Sequence, residues 1–248
     1  MKKHDLKPFF SISIILITLF LNGCASTGDE YVDERDPYEN INRAIFNFND
    51  GVDKVLLKPI AIGYQKVVPA PIDKGITNFF ENLKEVPNIL NNTLQFKFKQ
   101  ASSDVGRLLI NSTIGLLGFL DVATDMNLPK HHEDFGQTLG AWGVGSGPYL
   151  VLPILGPSTL RDGLGSVVGW YTDPVSYLTN IPLRIGLQTT RVIDTRADLL
   201  GASNILEKTG IDSYDLLKAG FLQQRKHLIY DGFPPEDEDD IEFNFDDE

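Results

Sequence analysis

His131-His132-Glu133-Asp134 sets four metal-binding or proton-moving side chains in a row. Metal ligands must converge on one point, which a helix achieves with spacings such as H-x-x-x-H, whereas adjacent side chains diverge. The run therefore reads as a polar loop. A serine hydrolase needs Ser, His and a carboxylate brought together. Gly145-Ser146-Gly147 is not the G-x-S-x-G elbow and follows no strand pattern. Outside the run, His227 is the remaining histidine of the mature chain. Gly163, Gly165 and Gly169 give G-x-G-x-x-x-G, again without the preceding strand a dinucleotide fold requires. The reading assigns no catalytic residue, no metal ligand and no cofactor.

Cys24 is the residue whose chemistry the sequence does place. Lys2, Lys3 and Lys7 form a positive amino-terminal region, and Phe9 to Leu21 is a continuous apolar run of secretory length. It ends at Leu21-Asn22-Gly23-Cys24, which resembles the lipobox of bacterial lipoprotein precursors, with Asn22 the departure. That resemblance makes residues 1–23 a lipoprotein signal peptide and Cys24 the acylated first residue of the mature chain. The rival reading is an ordinary signal peptide followed by a chance cysteine. One acyl chain holds marginally, at about 0.8 kcal/mol per buried methylene, and two or more hold stably. Ala25, in place of the Asp that commonly retains such proteins at the inner membrane, favours delivery to the outer membrane. Residues 24–36 read as a lipidated tether. With one cysteine in the chain, no intramolecular disulfide forms.

The formal charge of the 248 residues is -12. Beyond Lys226 there is no Lys or Arg, and nine acidic residues fall between Glu236 and Glu248. Removing them leaves about -3 on the rest (-12 + 9). Nucleic-acid binders concentrate Lys and Arg to displace counterions, so that class is excluded. Residues 233–248 read as an acidic disordered tail.

The elements between tether and tail read as helices with proline joints. Asp36-Pro37 opens one as N-cap and first helical residue, with Ile41, Ile45, Phe48, Val52 and Val55 on one face and Pro59 as its end. Asn47 and Asn49 on that helix are candidates for a wet lumen or for plain solvent exposure. Further helices are predicted over 60–68, from Pro71, again from Val86-Pro87, over 104–120, from Asp173-Pro174, over 183–200 and after an Asp212 cap. No stretch alternates convincingly as a strand. Between Asp134 and Arg161 no residue is charged, yet glycines and prolines break the stretch too often for a spanning helix. Gly143, Gly145, Gly147 and Pro148 read as a hinge or as a tight static turn. The expected fold is all-α, one domain of amphipathic helices over 37–232. Glycines and asparagines inside its apolar runs suit helices lying in an interface; a compact soluble bundle is the alternative.

Several runs are specific enough to carry a family resemblance. They include Asp36-Pro37-Tyr38-Glu39, Asn42-Arg43, Lys58-Pro59-Ile60-Ala61, Asn78-Phe79-Phe80-Glu81-Asn82-Leu83 and Asn111-Ser112-Thr113-Ile114-Gly115. The longest are Asp134-Phe135-Gly136-Gln137-Thr138-Leu139-Gly140, then 147–153 and 156–162. Together they resemble the VacJ/MlaA outer-membrane lipoproteins from about Asp36 to Pro174; beyond that the match is loose. The resemblance implies a flat helical ring in the inner leaflet, embedded from the periplasmic side, with a polar central channel. It implies removal of phospholipid from the outer leaflet, association with a trimeric outer-membrane porin, and transfer to a soluble periplasmic carrier linked to an inner-membrane ABC transporter. A structural or adaptor lipoprotein that binds a porin or another envelope protein is the rival function.

Overall fold

A computed structural model describes residues 33–206, 210 and 212–235. Cys24, the signal peptide, most of the tether and tail residues 236–248 lie outside them. The first helix, α1 (Glu39–Val52), runs through a single π-helical turn (Asp53–Leu57) into α2 (Lys58–Val67). Pro59 therefore does not end the helix. It stands in the first turn of α2, where its missing N–H and fixed φ do least harm.

Asp36 departs from expectation as well. It caps no helix with its side chain; α1 begins at Glu39, with Tyr38 preceding it. The buried Asp36 carboxylate is drawn instead into tertiary bonds described below.

The longest helix, α3 (Ala70–Leu94), also overrides the sequence reading by passing straight through Pro87. An interior proline costs about 3 kcal/mol. Side-chain bonds on either side of it, from Asn82 to Asn92, tie α3 to its neighbours and offset that cost. Next come α4 (Phe98–Thr113), which packs antiparallel along α3, a short α5 (Val122–Asp125), and α6 (Phe135–Ala141).

The uncharged stretch then forms the antiparallel hairpin β1 (Tyr149–Leu152) and β2 (Gly156–Thr159), with Tyr149 opposite Thr159 and Leu152 opposite Gly156. These strands were not legible as alternation, because four residues each, with Pro148 and Pro153 flanking the first and Pro157 inside the second, are too few to show a period. The chain otherwise matches the all-α expectation. It closes with α7 (Leu160–Thr172), a 3-10 turn (Pro174–Tyr177), α8 (Ile181–Asp198), α9 (Leu200–Leu206) and α10 (Ser213–Ile229). Thr159, Asp173, Asn180 and Asp212 cap the elements that follow them.

Two small apolar clusters sit between these elements. Ala61, Ala197 and Leu200 join α2, α8 and α9, while Tyr149, Val151 and Tyr214 join the hairpin to α10.

Candidate functional site

Along α3, Asn82, Glu85, Asn88 and Asn91 recur every third residue, with Asn92 alongside, and all five are buried. That spacing keeps them on one face. Facing them from α4 are Asp104, Arg107 and Asn111, also buried. Arg107, 1% exposed, donates from Nε to Glu85 (2.7 Å) and from Nη2 to Asp121 (2.9 Å). Its Nη1 donates to the Leu128 carbonyl at 2.6 Å and the Thr124 hydroxyl at 3.1 Å. One planar fork thus gathers α3, α4, α5 and the following loop, which a lysine's single ammonium cannot do.

Burial pushes the Glu85 carboxyl up, against the pull of Arg107. Burial also acts upward on Asp121. There it is outweighed by donors from Thr124, Lys130 and Asn111 and by the Lys130 charge, which hold the carboxyl below the ordinary aspartate range.

The four consecutive residues 131–134 point to four different partners. His131 Nδ1 lies 2.6 Å from Asp104, and Glu133 accepts from Gln95 at 2.7 Å and Lys97 at 3.0 Å. His132 is exposed beside Glu81, and Asp134 caps α6 while pairing with Arg225. Among the described residues no three metal-ligating side chains are grouped.

A second polar knot ties the hairpin down. The buried Asn42 side chain donates to Asp36 at 2.8 Å and to the Tyr149 carbonyl at 3.0 Å, and accepts from Val151 N–H at 2.8 Å. Tyr214 and Lys218 donate to the other Asp36 oxygen at 2.5 and 3.2 Å. Burial, with Asp36 nearby, pushes the Tyr149 phenol up to about 12. Two turns further along α1, Asn49 repeats the pattern at the hairpin's far end, donating to Leu152 O (2.9 Å) and accepting from Ile154 N–H (2.7 Å). Asn47 is exposed. The fully buried amide of this helix, Asn42, escaped sequence reading because an asparagine looks the same in sequence whether buried or solvated.

The hinge candidates lie together in the segment joining α6 to β1. Gly143 ends α6 in the left-handed region (φ 85°), its N–H bonded to Gly140 O and that of Val144 to Leu139 O. Gly147 is also left-handed (φ 66°), whereas Gly145 is not among the positive-φ residues. Arg161 N–H and Leu160 N–H tie Ser146 O and Pro148 O to the start of α7. The chain reversal itself falls beyond these residues, at Pro153-Ile154-Leu155, and Ile154 and Leu155 are exposed.

Buried polar and charged side chains outnumber buried apolar ones among the described residues. Conversely, large apolar side chains such as Val55, Phe96, Leu116, Leu117, Ile154 and Trp170 stand exposed. Water-soluble domains show the opposite distribution. No helix of the described residues is long and apolar enough to cross a membrane.

Fold and interior together define a class: a helical protein with a polar, ion-paired inside and an apolar outside. Residues 34–228 match the family model described as MlaA lipoprotein, and the chain belongs to that family. It is 35% identical over 224 residues to the "Intermembrane phospholipid transport system lipoprotein MlaA" of Escherichia coli (strain K12), covering 89% of this chain and 88% of that protein. The Haemophilus influenzae protein of the same name is 32% identical over 227 residues, covering 89% and 90%. A solved structure described as "Structural basis for maintenance of bacterial outer membrane lipid asymmetry" superposes with a TM-score of 0.69 at 33% identity. It covers 78% of this chain and 98% of its own.

Proposed function

We propose that this chain is the outer-membrane lipoprotein of an intermembrane phospholipid transport system. Held by acyl chains at Cys24 and seated from the periplasmic side, its helices ring a polar passage. Mislocalised phospholipid leaves the outer leaflet through that passage and is handed to a soluble periplasmic carrier linked to an inner-membrane ABC transporter. Residues 37–232 form the transporting body, with a trimeric porin as its partner in the membrane. The names of the relatives support the reading.

The observation that carries it is the inverted distribution of side chains. Exposed apolar groups offer acyl chains a surface they wet. Polar groups held inside stand in for the water a headgroup loses. Moving an unaided charged headgroup through hydrocarbon is costly, so a polar route lowers the barrier without covalent chemistry. Gly143, Gly145, Gly147 and Pro148 are read as the hinge on which the hairpin opens that route, and Asn47 as a group facing it, while Asn49 is committed to the hairpin backbone.

The test is reconstitution of the acylated protein in vesicles carrying a fluorescent phospholipid. Leaflet exchange, or delivery to a soluble acceptor, should exceed the protein-free control. Equal rates overturn transport and leave the adaptor role.

A further inference from the structure

We propose that the cavity between α7, the 3-10 turn and α8 binds the phosphodiester of a glycerophospholipid, with Arg184 as the ligand of the anion. This rests on the phospholipid reading above and gives it a place in the fold. The cavity measures about 950 Å³, within the few hundred to about 1,000 Å³ of small-molecule sites.

Its charge is unbalanced toward the positive. Two guanidiniums, Arg184 and Arg191, face one carboxylate, Asp173. Arg191 is spent on that carboxylate, with Nη1 and Nη2 at 2.7 and 3.3 Å, and lies over the Phe80 ring at 5.1 Å. Its Nε is buried without a hydrogen-bond partner. Arg184 makes one long contact, Nη1 to Ser176 O at 3.4 Å, so most of its donor fork is unspent. A net charge of +1 beside an unspent fork suits a monoanionic phosphodiester, which guanidinium binds with two parallel N–H···O bonds.

The rest of the lining suits what flanks a phosphate in a lipid. Trp170, Tyr171 and Tyr177 are all exposed at the cavity. Rings with an apolar body and a polar tip favour the boundary between headgroup and hydrocarbon. Val167 from α7 and Val192 from α8, both half exposed at the cavity, meet the first acyl carbons. A free phosphate would gain nothing from the apolar faces of these five side chains; a lipid uses all of them.

Trp170 supplies the readout. The chain has two tryptophans, Trp142 and Trp170, so Trp142→Phe leaves Trp170 as the sole reporter. The full mature protein in a maltoside detergent is titrated with submicellar dihexanoyl phosphatidylglycerol, with dihexanoylglycerol and with inorganic phosphate. Saturable change in Trp170 fluorescence is expected with the phospholipid. Affinity for dihexanoylglycerol or phosphate should be at least tenfold weaker. Arg184→Gln should weaken phospholipid binding about tenfold, and Arg184→Lys should lie between. Equal response to dihexanoylglycerol, equal affinity for inorganic phosphate, or an unchanged Arg184→Gln curve each overturns the proposal. Leaflet exchange measured on the same preparation separates the two readings. Exchange without a Trp170 response overturns the pocket alone, and absent exchange overturns transport.

Discussion

The Asn42 side chain acts as a strand neighbour for Tyr149, 107 residues away: it donates to the Tyr149 carbonyl at 3.0 Å and accepts from the Val151 amide at 2.8 Å. Asp36 orients that amide at 2.8 Å. Removing it leaves buried backbone groups of β1 unpaired, at about 1–3 kcal/mol for each group left unsatisfied. Asn42→Ala should lower stability by about 3 kcal/mol and speed hydrogen exchange at Val151. Asn42→Asp should be worse, because it cannot donate to Tyr149 O and sets a second carboxylate against Asp36. Chemical denaturation and amide exchange check both.

Arg107 is the most heavily committed side chain of the interior. Arg107→Met leaves Glu85 buried without its cation, which costs about 3–5 kcal/mol. Arg107→Lys should recover only a minor part, since one ammonium cannot reach Glu85, Asp121 and the Leu128 carbonyl together. Denaturation midpoints of the two variants test this.

Two glycines of α7 should behave oppositely. A Cβ on Gly165 would sit 2.5 Å from the Gly136 backbone nitrogen, where α6 and α7 touch. Gly165→Ala should cost about 1–3 kcal/mol through forced backbone movement. At Gly169 no atom lies within 4 Å. Gly169→Ala should be neutral or gain about 0.5–1 kcal/mol from the helix interior. Thermal melts in detergent separate them.

The Asp121 carboxyl titrates below its ordinary value of 3.8 in the folded protein. A depressed carboxylate contributes stability that is complete above its unfolded pKa and lost as pH falls through the folded one. Asp121→Asn should therefore be less stable than the parent at neutral pH. The gap should hold down to about pH 4 and close below it. A gap constant into strong acid contradicts the assignment.

The hairpin tip offers Ile154 and Leu155 to the surroundings, 72% and 62% exposed. Each apolar side chain buried on contact with lipid contributes about 1.5–3 kcal/mol. Ile154→Asp with Leu155→Asp should weaken binding of the unacylated protein to phospholipid vesicles by tenfold or more. Flotation assays measure it, and undiminished binding would place the tip outside the bilayer.

How much of this was legible depends on the range of the interaction. Helical character showed in apolar spacing, and Asp173 and Asp212, read as helix starts, cap their elements through bonds spanning two residues. The family showed in contiguous runs such as Asp134–Gly140. Local signals stay local, and one chain displays them.

Other features were decided by contacts between distant segments. Asp36 looked like a cap and became the anchor of Tyr214, 178 residues on. Pro87 looked like a break and became the middle of α3, since the tie of Asn82 to Ser112 and that of Asn88 to the His131 carbonyl hold both sides of it. The hairpin looked like a bent apolar segment and became two strands because Asn42 and Asn49 satisfy its edge.

The sequence by itself determined that the chain is helical and carries the runs of the MlaA family, because apolar periodicity and contiguous motifs are written residue by residue. Tertiary structure alone decided which polar residues go inside. An asparagine or arginine has the same local propensity whether solvated or buried, and only a partner across the fold offsets the cost of desolvating it.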